Sequence, residues 1–237
     1  MRRRLLDRFT VAALQGGLLL PAGVLLAQGP GRLAQAAAGP VRPATPAQAE
    51  GPFYPRELPP DRDSDLTRVA GQSTVARGEL TDLIGTVTDA TGRPLAGVQV
   101  EIWQVNAFGR YHHPGDNRGD RPLDPGFQGY GQASTDATGR YRFRTIRPVS
   151  YPGRAPHVHV ALSGNGFRRL TTQLYVEGAP ENLRDGLLNS IRDPALRNSL
   201  VVPFAKSSAA AGVLEARFDI VLAQDGRFSL FAPARLA

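Results

Sequence analysis

The chain has 237 residues, which is enough for one sizeable hydrophobic core or for a core with extensions. The formal net charge is +7, but the arginines are scattered and form no basic block. Because nucleic-acid binding usually needs a clustered basic patch, we predict no nucleic-acid partner. The chain has no cysteine, which excludes cysteine-zinc sites, iron–sulfur clusters, disulfides and thiol nucleophiles.

The N-terminal segment has the layout of an export signal. Residues 2–4 are all arginine, and an uncharged, largely apolar stretch covers residues 9–31. Paired arginines favour the twin-arginine route. A membrane anchor is the alternative, but several glycines and Pro21 interrupt the stretch. We therefore predict a signal peptide over residues 1–38, export to the periplasm or the extracellular space, and no stable membrane anchoring after signal cleavage.

Residues 39–79 form the second segment, which is rich in proline in its first half. Proline lacks the backbone N–H that a helix needs, so the segment is predicted to be an extended arm. Its adjacent aromatic residues Phe53 and Tyr54 are expected to pack against the domain that follows.

From residue 80 onward the sequence alternates short apolar runs with turns. Val98, Val100 and Ile102 alternate with polar residues, so they should face a core. The same turn sequence, Asp-Ala-Thr-Gly-Arg, occurs at 89–93 and 136–140. Residues 80–237 are therefore predicted to be an all-β domain, an antiparallel β-sandwich with long loops. Its predicted strands are 83–88, 98–104, 141–146, 157–162, 171–176 and 217–222, with short helices near 182–190 and 194–200.

Two histidines have the spacing of metal ligands on a strand. His157 and His159 are two residues apart, so their side chains should point the same way. Neutral imidazoles suit a transition metal, although a lone pair of this kind also occurs on ordinary exposed strands. Tyr111 and Tyr151 precede the pair. If both complete the ligand set, the metal should be hard and oxidised, which favours ferric iron over zinc.

Other catalytic motifs fit the sequence poorly. No carboxylate follows His157 at the short spacing expected of a facial triad on ferrous iron. The His-Glu-x-x-His zinc helix is absent, and so is the Gly-x-Ser-x-Gly elbow of serine hydrolases.

Several segments in chain order carry a family resemblance: 101–107, 109–111, 143–152, 154–159, 172–178 and 218–222. In this order, with two tyrosines ahead of the histidine pair, they resemble the intradiol ring-cleavage dioxygenases, and in particular the β-type subunit of the protocatechuate 3,4-dioxygenases. The resemblance covers about residues 51–222.

The resemblance implies an activity and a cofactor. The chain would cleave a catechol-type ring between its two hydroxylated carbons with O2, giving a muconate-type dicarboxylate. The four protein ligands of a non-haem ferric ion, Fe(III), would be Tyr111, Tyr151, His157 and His159. Tyr151 would be the axial ligand that leaves the iron and accepts the second proton of the substrate, whereas Tyr111 would stay bound.

The resemblance also assigns residues around the iron. Arg154 matches the family's active-site arginine, which stabilises negative charge on the substrate. Gln173 matches a glutamine near the iron. Phe53 and Tyr54 match an arm segment that lines the pocket, and Trp103 is expected to be a core residue.

The match departs from the family in ways that leave partners and substrate open. The loop between Tyr151 and His157 is short, which predicts an open pocket and leaves the identity of the catechol undetermined. All four implied ligands lie in one chain, so a homo-oligomer is compatible with the site. An alternative function is a non-catalytic exported β-sandwich binding module, because residues 85–98 resemble the carboxypeptidase regulatory-like repeat.

Overall fold

The computed structural model describes residues 41–164 and 167–223. Two five-stranded sheets make up the domain. The first contains β1 (Leu80–Asp89), β4 (Arg140–Ile146), β8 (Phe204–Lys206), β9 (Leu214–Arg217) and β10 (Ile220–Leu222). The second has the order β3-β2-β5-β6-β7, with bounds β2 Gln99–Trp103, β3 Tyr130–Ser134, β5 His157–Ser163, β6 Leu170–Val176 and β7 Val201–Val202. The all-β sandwich prediction is confirmed.

Most neighbouring strands are antiparallel, and β5 occupies the middle of the second sheet. It pairs with β2 on one side and β6 on the other. Parallel pairs occur between β1 and β9, β1 and β10, and β6 and β7. The register places Trp103 and Gln173 directly beside His159, one on each side. These three residues therefore share one face of the sheet.

The opposite face of the second sheet packs on the first sheet. Val98, Val100 and Ile102 are fully buried there, as the alternation predicts. They join residues of both sheets in one core, including Leu83, Phe143, Val158 and Val160. The outer face of the second sheet has a smaller cluster, which contains Trp103, Val105, Tyr111, Tyr130 and Ala161. Because both faces are covered, six of the seven residues of β5 are buried.

Residues 41–50 run along the domain without helix, strand or turn, whereas residues 51–79 contain several turns. Backbone N–H groups of the arm donate to domain carbonyls, from Thr45 to Val221 (2.9 Å) and from Gln48 to Thr171 (2.8 Å). Further along, Phe53 and Tyr54 pack against the smaller cluster. The arm thus covers the outer face of the second sheet.

The helices are short, as expected, but their bounds differ from the predictions. The predicted helix over 182–190 is a 3-10 helix, Pro180–Leu183, followed by α1, Gly186–Asn189. The carboxylate of Asp185 stands between them and caps α1. The second helix, α2, covers Pro194–Asn198.

The prediction of one continuous strand over 217–222 is wrong. β9 ends at Arg217 and β10 begins at Ile220. The two residues between them bond elsewhere, since the Asp219 carboxylate accepts the Thr86 N–H and hydroxyl. These bonds between the Asp219 side chain and β1 replace the ladder that a continuous strand would need.

In the part of the chain that the structure describes, no helix is long and apolar enough to cross a membrane. The predicted signal peptide over 1–38 lies outside the described residues.

Candidate metal centre

His157 and His159 stand at the start of β5 and point to its outer face, where both are almost completely buried. Their Nε2 atoms are 3.2 Å apart. The hydroxyl oxygen of Tyr111 lies 2.9 Å from Nε2 of His159 and 3.4 Å from Nε2 of His157. Three candidate donor atoms therefore meet at one point.

A turn after β2 brings Tyr111 to the histidines. The side-chain oxygen of Asn106 accepts the N–H groups of Phe108 (2.9 Å) and Arg110 (3.1 Å), which closes the turn. Gly109 has φ +77°, a conformation that favours glycine. The Tyr111 N–H then donates to the buried carboxylate of Asp116 at 2.8 Å. Backbone bonds on both sides thus fix where the phenol projects.

A second turn, Tyr151-Pro152-Gly153-Arg154, carries Tyr151 at its start and Arg154 at its end. The Arg154 N–H donates to the Tyr151 carbonyl at 2.9 Å, and Gly153 has φ +81°. Proline at the second position and glycine with positive φ at the third are the requirements of a type II turn. The Tyr151 ring centroid lies 5.5 Å from that of His157 and 5.9 Å from that of Tyr111. The turn therefore brings a phenol and a guanidinium to the same site.

The donor set fits a metal ion. Within residues 41–164 and 167–223, no three His, Cys, Asp or Glu side chains meet in a group able to hold one. At the histidine pair the third candidate donor is the Tyr111 hydroxyl. Ligand atoms about 2.0–2.1 Å from an ion lie roughly 3 Å from one another, which matches the separations observed here. Nδ1 of His157 lies 2.6 Å from the Ala155 carbonyl, so this ring nitrogen is the protonated one and Nε2 keeps its lone pair.

Burial keeps the imidazoles neutral, the form that binds metals. Loss of solvation, reinforced by the positive charge of Arg154, lowers the pKa of His157 to about 3. Burial and the neighbouring His157 lower the pKa of His159 well below its usual value. Burial and the nearby Tyr151 raise the pKa of Tyr111 well above 10. A bound cation would be needed to hold Tyr111 as phenolate at neutral pH.

Arg154 is fixed by partners on the neighbouring elements. Its Nε donates to Asp185 at 2.9 Å, and its Nη2 donates to the amide oxygen of Gln173 at 2.5 Å. The amide nitrogen of Gln173 donates in turn to the Ala49 carbonyl of the arm at 2.9 Å. The structure thus brings the two residues assigned by resemblance into direct contact.

Asp185, which was not predicted as a site residue, organises this corner. Its carboxylate is fully buried and accepts N–H groups from Ala155, Leu187 and Leu188 as well as from Arg154. These bonds to the charged form lower the pKa of Asp185 although burial opposes them. An aspartate directly before a short apolar run is a helix-capping signal, and it could have been recognised from the sequence.

Arg118 and Asp116 also belong to the site and were not predicted from the sequence. The Arg118 guanidinium lies 4.4 Å from the ring centroid of Tyr151 and 5.5 Å from that of Phe53. It pairs with Asp116, the same carboxylate that accepts the Tyr111 N–H. One ion pair therefore contacts both tyrosines. No local pattern signals this arrangement, because it arises where a loop folds back.

The two aromatic residues of the arm face different groups. Phe53 stacks on Tyr111 with ring centroids 4.6 Å apart. Tyr54 instead donates to Glu101 (3.1 Å) and meets Trp103 edge-on at 5.0 Å. Trp103 belongs to the smaller core cluster, as expected, but its indole also stacks on His159.

Two cavities flank the cluster. One, of about 430 Å³, is lined by Phe53, Trp103, Tyr111, His112 and His113 together with other residues of the arm and of β3. The other, of about 590 Å³, has Tyr151, Arg154 and Asp185 in its wall and Leu183 among its lining residues. The second cavity is the one that reaches both Tyr151 and the guanidinium of Arg154.

A family model described as a dioxygenase, Dioxygenase_C, matches residues 49–224. The chain belongs to the intradiol ring-cleavage dioxygenase family. The protocatechuate 3,4-dioxygenase beta chain of Burkholderia cepacia is 39% identical over 198 residues, covering 78% of this chain and 83% of that protein. Catechol 1,2-dioxygenase 2 of Acinetobacter lwoffii is 32% identical over 195 residues, covering 70% and 66% of the two chains.

Solved structures of intradiol dioxygenases share the fold. The dioxygenase domain of a dioxygenase carbohydrate-binding protein fusion from Streptomyces sp. SirexAA-E is 32% identical with a TM-score of 0.59, covering 76% of this chain and 99% of that one. Catechol 1,2-dioxygenase from Acinetobacter sp. ADP1, inhibited by bound mercury, is 28% identical with a TM-score of 0.58, covering 81% and 67%. The predictions of family and of ring-cleaving enzyme class are therefore confirmed. The binding-module alternative loses its basis, because the family match includes residues 85–98.

Proposed function

We propose that this dioxygenase is an exported non-haem ferric enzyme whose iron is held by Tyr111, Tyr151, His157 and His159. The observation that carries the proposal is the meeting of the Tyr111 hydroxyl with two imidazole Nε2 atoms at 2.9 and 3.4 Å. The Tyr151 ring borders both Tyr111 and His157. Phenolates are hard donors, and two of them favour the trivalent ion over ferrous iron.

A ferric ion held by these four residues would supply Lewis-acid activation of a catechol toward dioxygen. The residues of the chain prepare that reaction. The neutral imidazole of His157 carries its proton on Nδ1, beside the Ala155 carbonyl, so its Nε2 lone pair is available to a metal. His159 is neutral as well. With iron bound, Tyr151 would be held as phenolate and its oxygen would accept one proton from the catechol. Tyr151 lies in the wall of the 590 Å³ cavity, where a ligand can approach.

Arg154 supplies positive charge beside Tyr151, in the wall of the same cavity. Its guanidinium, fixed by Asp185 and Gln173, stabilises the negative charge that develops on the ring during cleavage. Because the donors are held before the substrate arrives, little reorganisation is needed in the transition state.

The substrate class we propose is a catechol-type aromatic ring, cleaved with O2 between its hydroxylated carbons to a muconate-type dicarboxylate. The relatives are named for protocatechuate and catechol, both of which are such rings. The short loop from Tyr151 to His157 and the 590 Å³ cavity favour a more open site than a simple catechol requires.

Export through the twin-arginine route is proposed from residues 2–4 and the apolar stretch that follows. Fractionation of producing cells, combined with the mass of the mature protein, tests export and cleavage near residue 38. A homo-oligomer is proposed because all four ligands lie in one chain, whereas relatives include alpha and beta chains of one enzyme. Light scattering of the purified protein measures the assembly.

The first experiment is a visible spectrum of the purified protein, before and after addition of catechol without oxygen. We expect a tyrosinate-to-iron absorption band that shifts when catechol is added. Tyr111→Phe should lose most of this absorbance, whereas Tyr141→Phe should keep it, because Tyr141 is equally buried but donates to the Phe218 carbonyl far from the site. A colourless protein that holds no iron even after ferric reconstitution would overturn the proposed iron site.

A further inference from the structure

The two histidines of the candidate metal centre are held in different ways. His157 has a hydrogen bond on Nδ1, to the Ala155 carbonyl. Nδ1 of His159 is buried and has no hydrogen-bond partner among the residues that the structure describes. A metal-binding histidine is usually oriented by a hydrogen bond on its second nitrogen. Something else must therefore fix the His159 ring.

Trp103 occupies the position from which it can do so. It lies on β2 directly opposite His159 in the strand register. Its indole stacks on the imidazole with ring centroids 4.8 Å apart and planes 9° from parallel. Trp103 is 1% exposed, and its Nε1 has no hydrogen-bond partner in the described part of the chain. Packing alone therefore holds the indole in place.

Tyr54 of the arm packs against the Trp103 indole. Its ring meets Trp103 edge-on at 5.0 Å with an interplanar angle of 83°. Its hydroxyl donates to the buried carboxylate of Glu101 at 3.1 Å. Tyr130 donates to the same oxygen at 2.8 Å, and Arg169 donates to the other oxygen at 2.5 Å. The Arg169 guanidinium also lies 4.8 Å from the centroid of the Tyr54 ring.

We infer that Trp103 is the positioning residue for His159, and that the Glu101–Arg169 ion pair keeps Trp103 in place by fixing Tyr54. This inference rests on the proposed role of His159 as an iron ligand. The flat indole face sets the plane of the imidazole, so Nε2 stays directed at the point that the Tyr111 hydroxyl also reaches. A side chain of equal apolar character but without a flat face would bury the same space and leave the ring free to turn.

Paired substitutions at Trp103 separate ring orientation from simple core packing. Trp103→Phe keeps a flat face, and Trp103→Leu removes it. We expect Trp103→Leu to lose ferric iron to a competing chelator ~10–100-fold more readily than wild type, the range seen when a group that orients a metal ligand is removed. The electron paramagnetic resonance spectrum of its remaining iron should broaden or shift. Trp103→Phe should stay close to wild type in both measurements.

The control is Phe143→Leu, which removes a fully buried aromatic ring from the core between the sheets. It should lower stability without changing the resonance spectrum or the iron retention. If Trp103→Leu does not fold, Tyr54→Leu replaces it, since this change removes the edge contact and leaves the strand intact. We expect Tyr54→Leu to shift the resonance spectrum in the same direction by a smaller amount.

A further readout needs no iron. Trp103 is the only tryptophan of the chain, so tryptophan fluorescence reports on the surroundings of this one residue. In iron-free protein, His159→Ala should change the emission of Trp103 more than His157→Ala does.

Two outcomes have separate meanings. If wild type is coloured and iron-loaded but Trp103→Leu and Trp103→Phe match it in spectrum and iron retention, Trp103 is only a core residue and the inference fails. If wild type itself holds no iron, the proposed function fails first.

Discussion

Arg154 is constrained more tightly than its place in a short surface turn suggests. Asp185 and Gln173 each hold a different nitrogen of the guanidinium, and the Tyr175 hydroxyl lies 3.4 Å away. Only 17% of the side chain is exposed. The guanidinium beside Tyr151 therefore has a fixed position and orientation, which is the property that transition-state stabilisation requires.

Arg154→Gln should therefore lower kcat by ~10²–10³-fold, the usual cost of removing one pre-oriented donor. Iron content and the visible spectrum should stay as in wild type, because Arg154 is not among the proposed ligands. Asp185 would keep its three backbone donors, which limits the loss of stability. Steady-state kinetics measures kcat, and elemental analysis measures the iron content. Arg192→Gln is the control, because Arg192 is exposed. An unchanged kcat would remove Arg154 from the reaction.

The sequence was informative at this scale where neighbours in the chain are also neighbours in space. His157 and His159 share a face because they are two residues apart on a strand. The contact of Arg118 with Tyr151 and that of Asp185 with Arg154 escaped prediction, because each joins loops that are distant in the chain. Composition and periodicity carry no information about contacts between residues that are distant in the chain.

At the scale of elements, the turn Tyr151-Pro152-Gly153-Arg154 has the largest influence on the site. One hydrogen bond and one glycine in the left-handed region set the separation of Tyr151, a proposed ligand, and Arg154, the arginine proposed to act beside it. A Cβ at Gly153 would meet nothing within 4 Å. Any effect of adding one therefore comes from backbone strain and not from a clash.

Gly153→Ala should destabilise the protein by ~1–2 kcal/mol, which is the cost of an alanine in the left-handed conformation. It should also lower kcat/KM by about 10-fold or more, because relaxation of the turn displaces Tyr151 and Arg154. Gly92→Ala is a matched control, because Gly92 has φ +86° and equally empty surroundings in the turn after β1. It should lose similar stability in urea unfolding and keep its activity. Equal activity in both variants would mean that the turn tolerates relaxation.

Strands with a clear apolar pattern were predicted well, whereas strands too short to show a pattern were not predicted. The strands around Val100 and Val158 are buried and rich in β-branched residues, so their pattern is clear. β7 and β8 have two and three residues, too few to show any period. The continuous strand expected over 217–222 failed because Asp219 bonds to β1 through its side chain, a competition that apolar alternation does not reveal.

At the scale of the whole molecule, burying two neutral histidines makes stability depend on pH. In the iron-free protein the pKa of His157 is lowered to about 3 and that of His159 is also well below 6.5. Below pH 6.5 the unfolded chain takes up protons on these imidazoles while the folded protein does not. The free energy of unfolding must therefore fall as pH is lowered from 6.5 toward 3, and each histidine adds a slope approaching ~1.4 kcal/mol per pH unit.

Urea unfolding of iron-free protein between pH 4.5 and 6.5 measures this slope. Carboxylates with lowered pKa, such as Asp89 at about 2, stabilise the fold above their unfolded pKa of 3.8 and lose that contribution only below it. The chosen interval therefore reports mainly on histidine. His157→Gln cannot take up a proton, so its slope should be shallower than that of wild type by up to one histidine's share, whatever its stability at pH 6.5. A slope equal to wild type would mean that His157 titrates normally and is not held neutral by burial.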